Sequence, residues 1–388
     1  MKPFDGVDFY NLNELLSDEE RQVRDTVRAF VSERVMPIIE KHNRAGTFPA
    51  ELIPGMAELG LLGANLEGYG CAGLGAVAYG LIMQELERGD SGLRSFVSVQ
   101  GSLVMFPIAT FGSEEQKNRW LPSLASGKAI GCFGLTEADA GSDPSAMRTR
   151  ARKVSDGWIL SGSKMWITNG SVADIALVWA NTDDGVRGFL VEKGTRGFTS
   201  RDIHGKFALR ASVTSELSFE DCALSEKALL PESKGLGSAL KCLSQARFGI
   251  AWGAIGSAMA VYDEARRYAT TRIMFGKPIG SFQLVQNKLV HMLTEITKGQ
   301  LVAWRLGKLK EAGQVTPQQI SFAKRNNVEI ALDIARLGRD LLGASGTADE
   351  YQTGRHMCNL EAVKTYEGTH DIHTLILGEW ITGIPAYR

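Results

Sequence analysis

The chain is short of several features that would make its purpose plain. Its five cysteines among 388 residues, Cys71, Cys132, Cys222, Cys242 and Cys358, are odd in number and far apart. With no C-x-x-C pair they argue against a disulfide framework and a thiolate zinc site, and a reducing compartment is the simplest reading. Neither sign of charge dominates, since 43 Lys and Arg meet 44 Asp and Glu for a net charge of -1. No whole-chain field therefore gathers nucleic acid or an anionic membrane, and any anionic ligand must be held by local groups. No apolar run approaches the roughly 18 residues of a membrane span. The start, Met1-Lys2-Pro3-Phe4-Asp5, lacks the basic and apolar regions of a secretory signal and the Arg-rich, acid-poor texture of a transit peptide. These absences predict a cytoplasmic protein, or one of the mitochondrial matrix if the chain is a processed form.

What is present falls into three textures, and the length allows two or three packed domains. From Ser17 to about Gly127 the pattern is helical. Ser17 and Glu20 make a capping box, and Val23, Val27, Phe30 and Val31 follow on one face. Pro37, Pro49, Pro54, Pro107 and Pro122 read as helix boundaries or first turns. From about Ala129 to Glu232 short β-rich runs (Trp158–Leu160, Met165–Ile167, Ala176–Trp179, Gly188–Val191) are broken by Gly, Asn and Asp, the texture of an antiparallel sheet or small barrel. After Gly235 helical periodicity returns. Leu284, Lys288, Leu289, Met292, Leu293 and Ile296 mark one long amphipathic helix, and 317–342 marks another. The boundaries so read are 1–128, 129–235 and 236–388.

Several motifs compete for attention. Gly68-Tyr69-Gly70-Cys71-Ala72-Gly73, with Glu87 nearly twenty residues on, fits G-x-G-x-x-G, but no apolar strand precedes it, so it reads as a glycine-rich interhelical loop. In 133–143, small residues with the hydroxyls of Thr136 and Ser142 could hold phosphate or ring carbonyl oxygens, or form an ordinary turn at a strand end. Trp166 in Trp166-Ile167-Thr168-Asn169 could lie against a planar cofactor, or serve only as core. Arg272, at a corner before Gly276 and Pro278, could clamp a pyrophosphate or complement a helix dipole. Glu367 sits in a short loop before a helix whose Ile372, Leu375, Ile376 and Trp380 face one way, and Gly368 permits a tight turn. Glu367 and His370 also form E-x-x-H, the spacing of di-iron bundles. That motif must occur twice, and no other histidine has a glutamate three residues before it.

Taken together these segments resemble the acyl-CoA dehydrogenase family over nearly the whole chain, with the greatest likeness to its glutaryl-CoA dehydrogenases. Glu87–Ser95, Gly131–Glu137, Lys164–Asn169 and Thr365–His373 carry the resemblance, in register. It implies an α+β multidomain fold: an N-terminal helical domain, a central antiparallel β-barrel-like domain and a C-terminal four-helix bundle, assembled as a homotetramer. It implies FAD as cofactor, lined by Phe133, Leu135, Thr136, Gly141, Ser142, Trp166, Ile167 and Thr168. Arg272, Phe275, Gln283, Asp340, Leu341, Gly343 and Ala344 would reach FAD from a neighbouring subunit, and Thr369 and Asp371 would touch it beside the base. Ser142, Leu243, Arg247, Tyr366 and Gly368 would meet the thioester, and Arg94, Ser95 and Glu87 would recognise a distal carboxylate. Glu367 would be the catalytic base, and electron transfer flavoprotein the electron acceptor.

The same resemblance implies the reaction. Glu367 removes the α-proton of an acyl-CoA, the Glu367 N–H helps hold the thioester oxygen, and FAD accepts the β-hydride. Oxidation of glutaryl-CoA would then lead by loss of carbon dioxide to crotonyl-CoA. Leu93 stands where tyrosine is usual in these relatives, Phe106 where histidine is usual, and Glu379-Trp380 where Arg-Ala is usual; Gly343-Ala344-Ser345-Gly346 replaces Gly-Gly-Asn-Gly. A non-decarboxylating dehydrogenase or an oxidase would share the named residues. A non-catalytic paralogue and a metal-dependent bundle enzyme are the alternatives of other classes.

Overall fold

The computed structural model describes residues 4–386, so Met1–Pro3 of the start read above lie outside the described residues. The N-terminal third is helical: α1 (Asp18–Phe30), α2 (Met36–Ala45), α3 (Ile53–Glu58), α4 (Ala76–Gly89), α5 (Ser91–Ser98), α6 (Phe106–Phe111) and α7 (Glu114–Ala125). The Ser17–Glu20 capping box opens α1, and Val27, Phe30 and Val31 are buried below it. Two of the prolines do not break the chain's helical course. Pro37 and Pro107 each follow a π-turn, Val31–Val35 and Val99–Met105, where the Met36 and Phe106 N–H groups donate five residues back. The wider turn gives the proline ring room where an α-turn would clash with the carbonyl four residues earlier. Pro122 lies inside α7 rather than at its end.

Seven strands follow: β1 (Gly131–Gly134), β2 (Arg150–Val154), β3 (Gly157–Thr168), β4 (Ile175–Thr182), β5 (Gly185–Glu192), β6 (Phe198–Asp202) and β7 (Thr214–Ser225). They form one sheet in the order β1-β4-β2-β3-β7-β6, with β5 paired to β4. Most pairs are antiparallel, but β1 runs parallel to β4, which its near-continuous apolar run permits by filling both faces. The register of β3 on β7 shifts between Lys164 and Ile167, and this bulge places Trp166 at φ 65.

Helix α8 (Gly235–Thr271) is 37 residues long, about 55 Å at 1.5 Å per residue. Its first turns pack on the sheet side through Ala239, Cys242 and Ala246, its middle meets the N-terminal helices through Phe248, Ala251 and Trp252, and its end joins the C-terminal core. A two-strand hairpin, β8 (Ile273–Met274) and β9 (Lys277–Pro278), leads to α9 (Gln283–Glu311), then α10 (Pro317–Leu341), α11 (Gln352–Thr365) and α12 (His370–Thr382). Helices α8 to α11 form the C-terminal bundle, and α12 lies on α10. The amphipathic face of α9 buries Met292 and Ile296 but leaves Leu284 80% exposed, and Trp380 of α12 is also open to solvent. Among the described residues no helix is long and apolar enough to cross a membrane.

The loop 68–73 runs from α3 towards α4 with Gly68, Gly70 and Gly73 all at positive φ and no strand before it. It is an interhelical turn.

Candidate active site

The junction of α11 and α12 is built from strained backbone. Glu367 has φ 53 and Gly368 φ 91, so two successive left-handed residues reverse the chain before the Thr369 hydroxyl caps α12 by accepting the Ile372 N–H at 3.2 Å. Glycine takes this conformation freely; a glutamate held outside the favoured regions costs about 1 to 3 kcal/mol. The turn is pinned from below. Arg247 Nε of α8 donates to the Glu367 carbonyl at 2.7 Å, and Lys324 Nζ of α10 donates to the carbonyls of Tyr366 and Gly368 at 3.2 and 2.9 Å. A side chain at 368 would press on His373 and Arg247, so this position needs glycine for space as well as for φ.

The Glu367 side chain is enclosed, and its Oε2 has no hydrogen-bond partner among the described residues. Burial pushes its carboxyl above the usual range, and outweighs the opposing charges of Arg94, Arg247 and Lys324. His373 is held neutral, pushed down to about 3 by burial and by the charges of Lys324 and Arg247. Among the described residues the Glu367 N–H donates to no backbone carbonyl, which leaves a donor beside the carboxylate.

Arg94 lies beneath this turn, wholly buried on α5. Its Nε donates to Glu87 Oε2 of α4 at 2.6 Å, its Nη2 donates to the Tyr366 hydroxyl, and its Nη1 has no partner among the described residues. Burial works against its charge, but its neighbours, led by the Glu87 carboxylate, outweigh burial and favour the charged guanidinium. The other oxygen of Glu87 accepts from the Ser91 hydroxyl at 3.0 Å. Ser95 is buried on the next position of α5, and Tyr79 of α4 lies close enough to feel the charges of both Arg94 and Glu367. An enclosed cationic N–H without a partner is costly unless a ligand fills it.

The residues expected at the flavin gather in part. Met165 N–H donates to the Thr136 carbonyl at 2.9 Å, so the β1 end, with Phe133, Leu135 and Thr136, lies beside the β3 end with Trp166, Ile167 and Thr168. Phe133, Leu135 and Ile167 are buried, Thr136 and Thr168 half-buried, and the indole of Trp166 is 60% exposed. Gly141 and Ser142 lie in the exposed turn beyond, where a Cβ at Gly141 would meet open space. A buried pair that the sequence did not single out braces this turn. Lys164 Nζ donates to Glu137 Oε1 at 2.8 Å and to the Leu135 carbonyl at 3.0 Å. Although burial opposes its charge, the Arg148 N–H, Lys164 and Thr149 hold Glu137 down to about 2. A flat apolar indole, two hydroxyls and open backbone at one strand end suit a ring system with a phosphate tail.

Leu243 is half-buried on α8 one turn before Arg247, and Thr369 and Asp371 open α12 beside Glu367. The remaining expected cofactor residues sit at the far end of the bundle. Arg272 caps α8, Phe275 stands 90% exposed at the hairpin tip, and Gln283 opens α9. Lys288 pairs with Asp340, which ties this end of α9 to Leu341, Gly343 and Ala344; Leu341 faces the core, and Gly343 and Ala344 face solvent. Among the described residues no hydrogen bond or ion pair joins this group to Glu367 or Trp166. His370, the second half of the E-x-x-H spacing, turns its Nδ1 towards Glu329 at 3.3 Å. Sequence reasoning missed Lys324 and Tyr79. The first had a legible signal, a lone lysine on the apolar stripe Ile320, Ala323, Val328 and Ala331 of α10.

Comparison with known proteins places three profiles end to end on the chain. They are described as acyl-CoA dehydrogenase N-terminal domain over 17–128, middle domain over 132–222 and C-terminal domain over 233–382. A crystal structure of glutaryl-CoA dehydrogenase from Mycobacterium smegmatis is 56% identical, with a TM-score of 0.96 over 97% of this chain and 98% of that one. A second glutaryl-CoA dehydrogenase structure from that organism, in complex with FADH2, is 53% identical with a TM-score of 0.97, covering 98% and 99%. The mitochondrial short-chain specific acyl-CoA dehydrogenase of Bos taurus is 36% identical over 96% of this chain and 92% of its own.

Proposed function

The chain belongs to the acyl-CoA dehydrogenase family, and from that premise we propose that it oxidises glutaryl-CoA, with Glu367 as the base and Arg94 as the group that selects a distal carboxylate. The cofactor of the family is FAD, which when bound supplies the acceptor for the β-hydride. Around it we assign Phe133, Leu135, Thr136, Gly141, Ser142, Trp166, Ile167 and Thr168 from this chain. Arg272, Phe275, Gln283 and the 340–344 turn are assigned to the FAD of a neighbouring copy in a homotetramer. Electron transfer flavoprotein is the proposed acceptor.

The observation that carries the substrate is Nη1 of the buried Arg94 guanidinium, enclosed and without a hydrogen-bond partner among the described residues. A carboxylate at the end of the acyl chain completes that site, whereas a methyl end leaves it unpaired. Glu87 still balances the charge, so the cost is that of one unsatisfied buried donor, about 1 to 3 kcal/mol or roughly 5- to 150-fold in binding. At the other end of the substrate we place Glu367, on the left-handed turn between α11 and α12. The carboxylate takes the α-proton while the N–H donates to the thioester oxygen as negative charge develops there. In the decarboxylating course the C–C bond to the distal carboxylate breaks, carbon dioxide leaves, and protonated Glu367 returns its proton to the dienolate to give crotonyl-CoA.

The 36% identity to a short-chain specific enzyme favours a second reading, oxidation of a monocarboxylic short-chain thioester without decarboxylation. Anaerobic bleaching of the bound flavin across butyryl-, glutaryl- and longer acyl-CoA esters, with carbon dioxide measured, separates the two. The proposal expects the fastest bleaching with glutaryl-CoA and one carbon dioxide per turnover. Faster bleaching by butyryl-CoA with no carbon dioxide from glutaryl-CoA would install the second reading.

A further inference from the structure

Lys324 lies in the surroundings of the base but takes no part in the proton transfer described above. It is 1% exposed on the apolar stripe of α10. Its Nζ donates to the carbonyls of Gly368 at 2.9 Å and Tyr366 at 3.2 Å and reaches that of Lys364 at 3.5 Å. Arg247 holds the carbonyl between them, that of Glu367. An ammonium group has three N–H donors and no acceptor, so three carbonyls converging on one Nζ match it in full. Turning any of them outward would leave a donor unpaired in a dry interior. The backbone they belong to holds Glu367 at φ 53, a conformation a glutamate does not keep unless its surroundings impose it.

We propose that Lys324 is a positioning residue for the reaction: by gathering the carbonyls of residues 364, 366 and 368 it fixes the left-handed turn that aims the Glu367 carboxylate at the substrate. This rests on the reading of Glu367 as the base. A second effect follows from its charge, which favours the carboxylate form of Glu367. The groups facing it are Glu367 from the turn, Arg247 from α8, Arg94 from α5 and His373 from α12. The two arginines carry fixed charges and His373 is held neutral by burial. Glu367 and Lys324 therefore titrate as a pair. Burial pushes the lysine down to about 7, and the carboxylate opposes it. The negative charge of Glu367 thus favours the ammonium form of Lys324.

The test uses the FAD-loaded enzyme and stopped-flow flavin reduction by glutaryl-CoA, without oxygen, from pH 5 to 9. Lys324→Met should lower the limiting rate by about 10- to 100-fold, the penalty of a base misplaced by about an ångström. Half-saturation should move by less than about threefold, because the substrate contacts are elsewhere. The acid limb of the rate profile should move alkaline by about one unit or more, since an opposite charge near the carboxylate is gone. Lys324→Arg should return the limb towards wild type by restoring charge. It should recover the rate only in part, because a planar fork cannot meet three carbonyls from one point. Lys324→Gln carries the same test as Lys324→Met if the latter does not fold. An unchanged rate and limb in folded, flavin-replete variants overturns the proposal. Failure of all three variants to fold with FAD assigns the lysine to stability alone and overturns it as well. Glu367→Gln is run beside them: bleaching that persists there removes Glu367 as base, whereas lost bleaching with unaffected Lys324 variants removes only the lysine's role.

Discussion

At the scale of single residues the site is a balance between burial and charge. Burial raises the Glu367 carboxyl above its usual range, and three cations hold that rise in check. A base must be deprotonated to act, so the bleaching rate should rise with pH through an acid limb that lies above the ordinary carboxylate value of about 4.3. Glu367→Gln should keep yellow flavin and lose that limb with at least about a hundredfold of the rate; the absorbance of the bound flavin against pH checks both. Arg94 answers to a different balance. Arg94→Ala should lower glutaryl-CoA turnover by more than about a hundredfold and butyryl-CoA turnover far less, measured as the ratio of kcat/KM values. Because Glu87 then loses its partner inside the protein, the comparison needs Glu87→Gln/Arg94→Ala, which removes the stranded carboxylate. Equal losses on both substrates would take Arg94 out of the specificity role.

At the scale of elements, the distance between α4 and α8 governs the carboxylate end of the site. Gly249, Gly253 and Gly256 line one face of α8, and a Cβ at each would press on Tyr79 and Met83, on the Glu87 carboxylate beside Arg94, and on the Gln84 backbone. Gly253→Ala is therefore a probe of the Glu87–Arg94 pair. It should destabilise by about 1 to 3 kcal/mol, as overpacking does, and raise KM for glutaryl-CoA while FAD content stays at wild type. Thermal melting, flavin absorbance and steady-state rates check the three parts. On the sheet side the bulge in β3 is what turns Trp166 out of the sheet, and the Lys164–Glu137 pair fixes the turn beside it. Neither device is visible as periodicity, because a bulge is an interruption of the alternation by which strands are read.

At the scale of the whole molecule, the chain leaves a large apolar surface unfilled. Ile273, Met274, Phe275, Leu284 and Val290 are exposed around the hairpin and the start of α9, and Trp380, Ile381 and Ile384 at the end of α12. Patches of this kind mark association surfaces, and the proposed homotetramer would cover them. Sedimentation should give four times the chain mass. Leu284→Asp should lower that mass and release FAD together, since Gln283 beside it is assigned to the flavin of the neighbouring copy. Loss of association with FAD retained would detach the two.

Some of this was written in the chain itself. The three textures, the capping box at Ser17 and the helical stretches needed only local rules, because side-chain periodicity and caps act within a few residues. The turn that carries the proposed base was also legible, since it and the helix start are contiguous in Thr365–His373. Other features depended on contacts far apart in sequence. Glu87, Arg94, Arg247, Lys324 and Tyr366 converge from four helices and one turn, and their hydrogen bonds and shifted acidities exist only where packing removes water. The π-turns before Pro37 and Pro107, the left-handed Glu367 and the exposure of Leu284 and Trp380 belong to the same class. Periodicity tells which face of a helix is apolar; only tertiary structure decides what, if anything, lies against it.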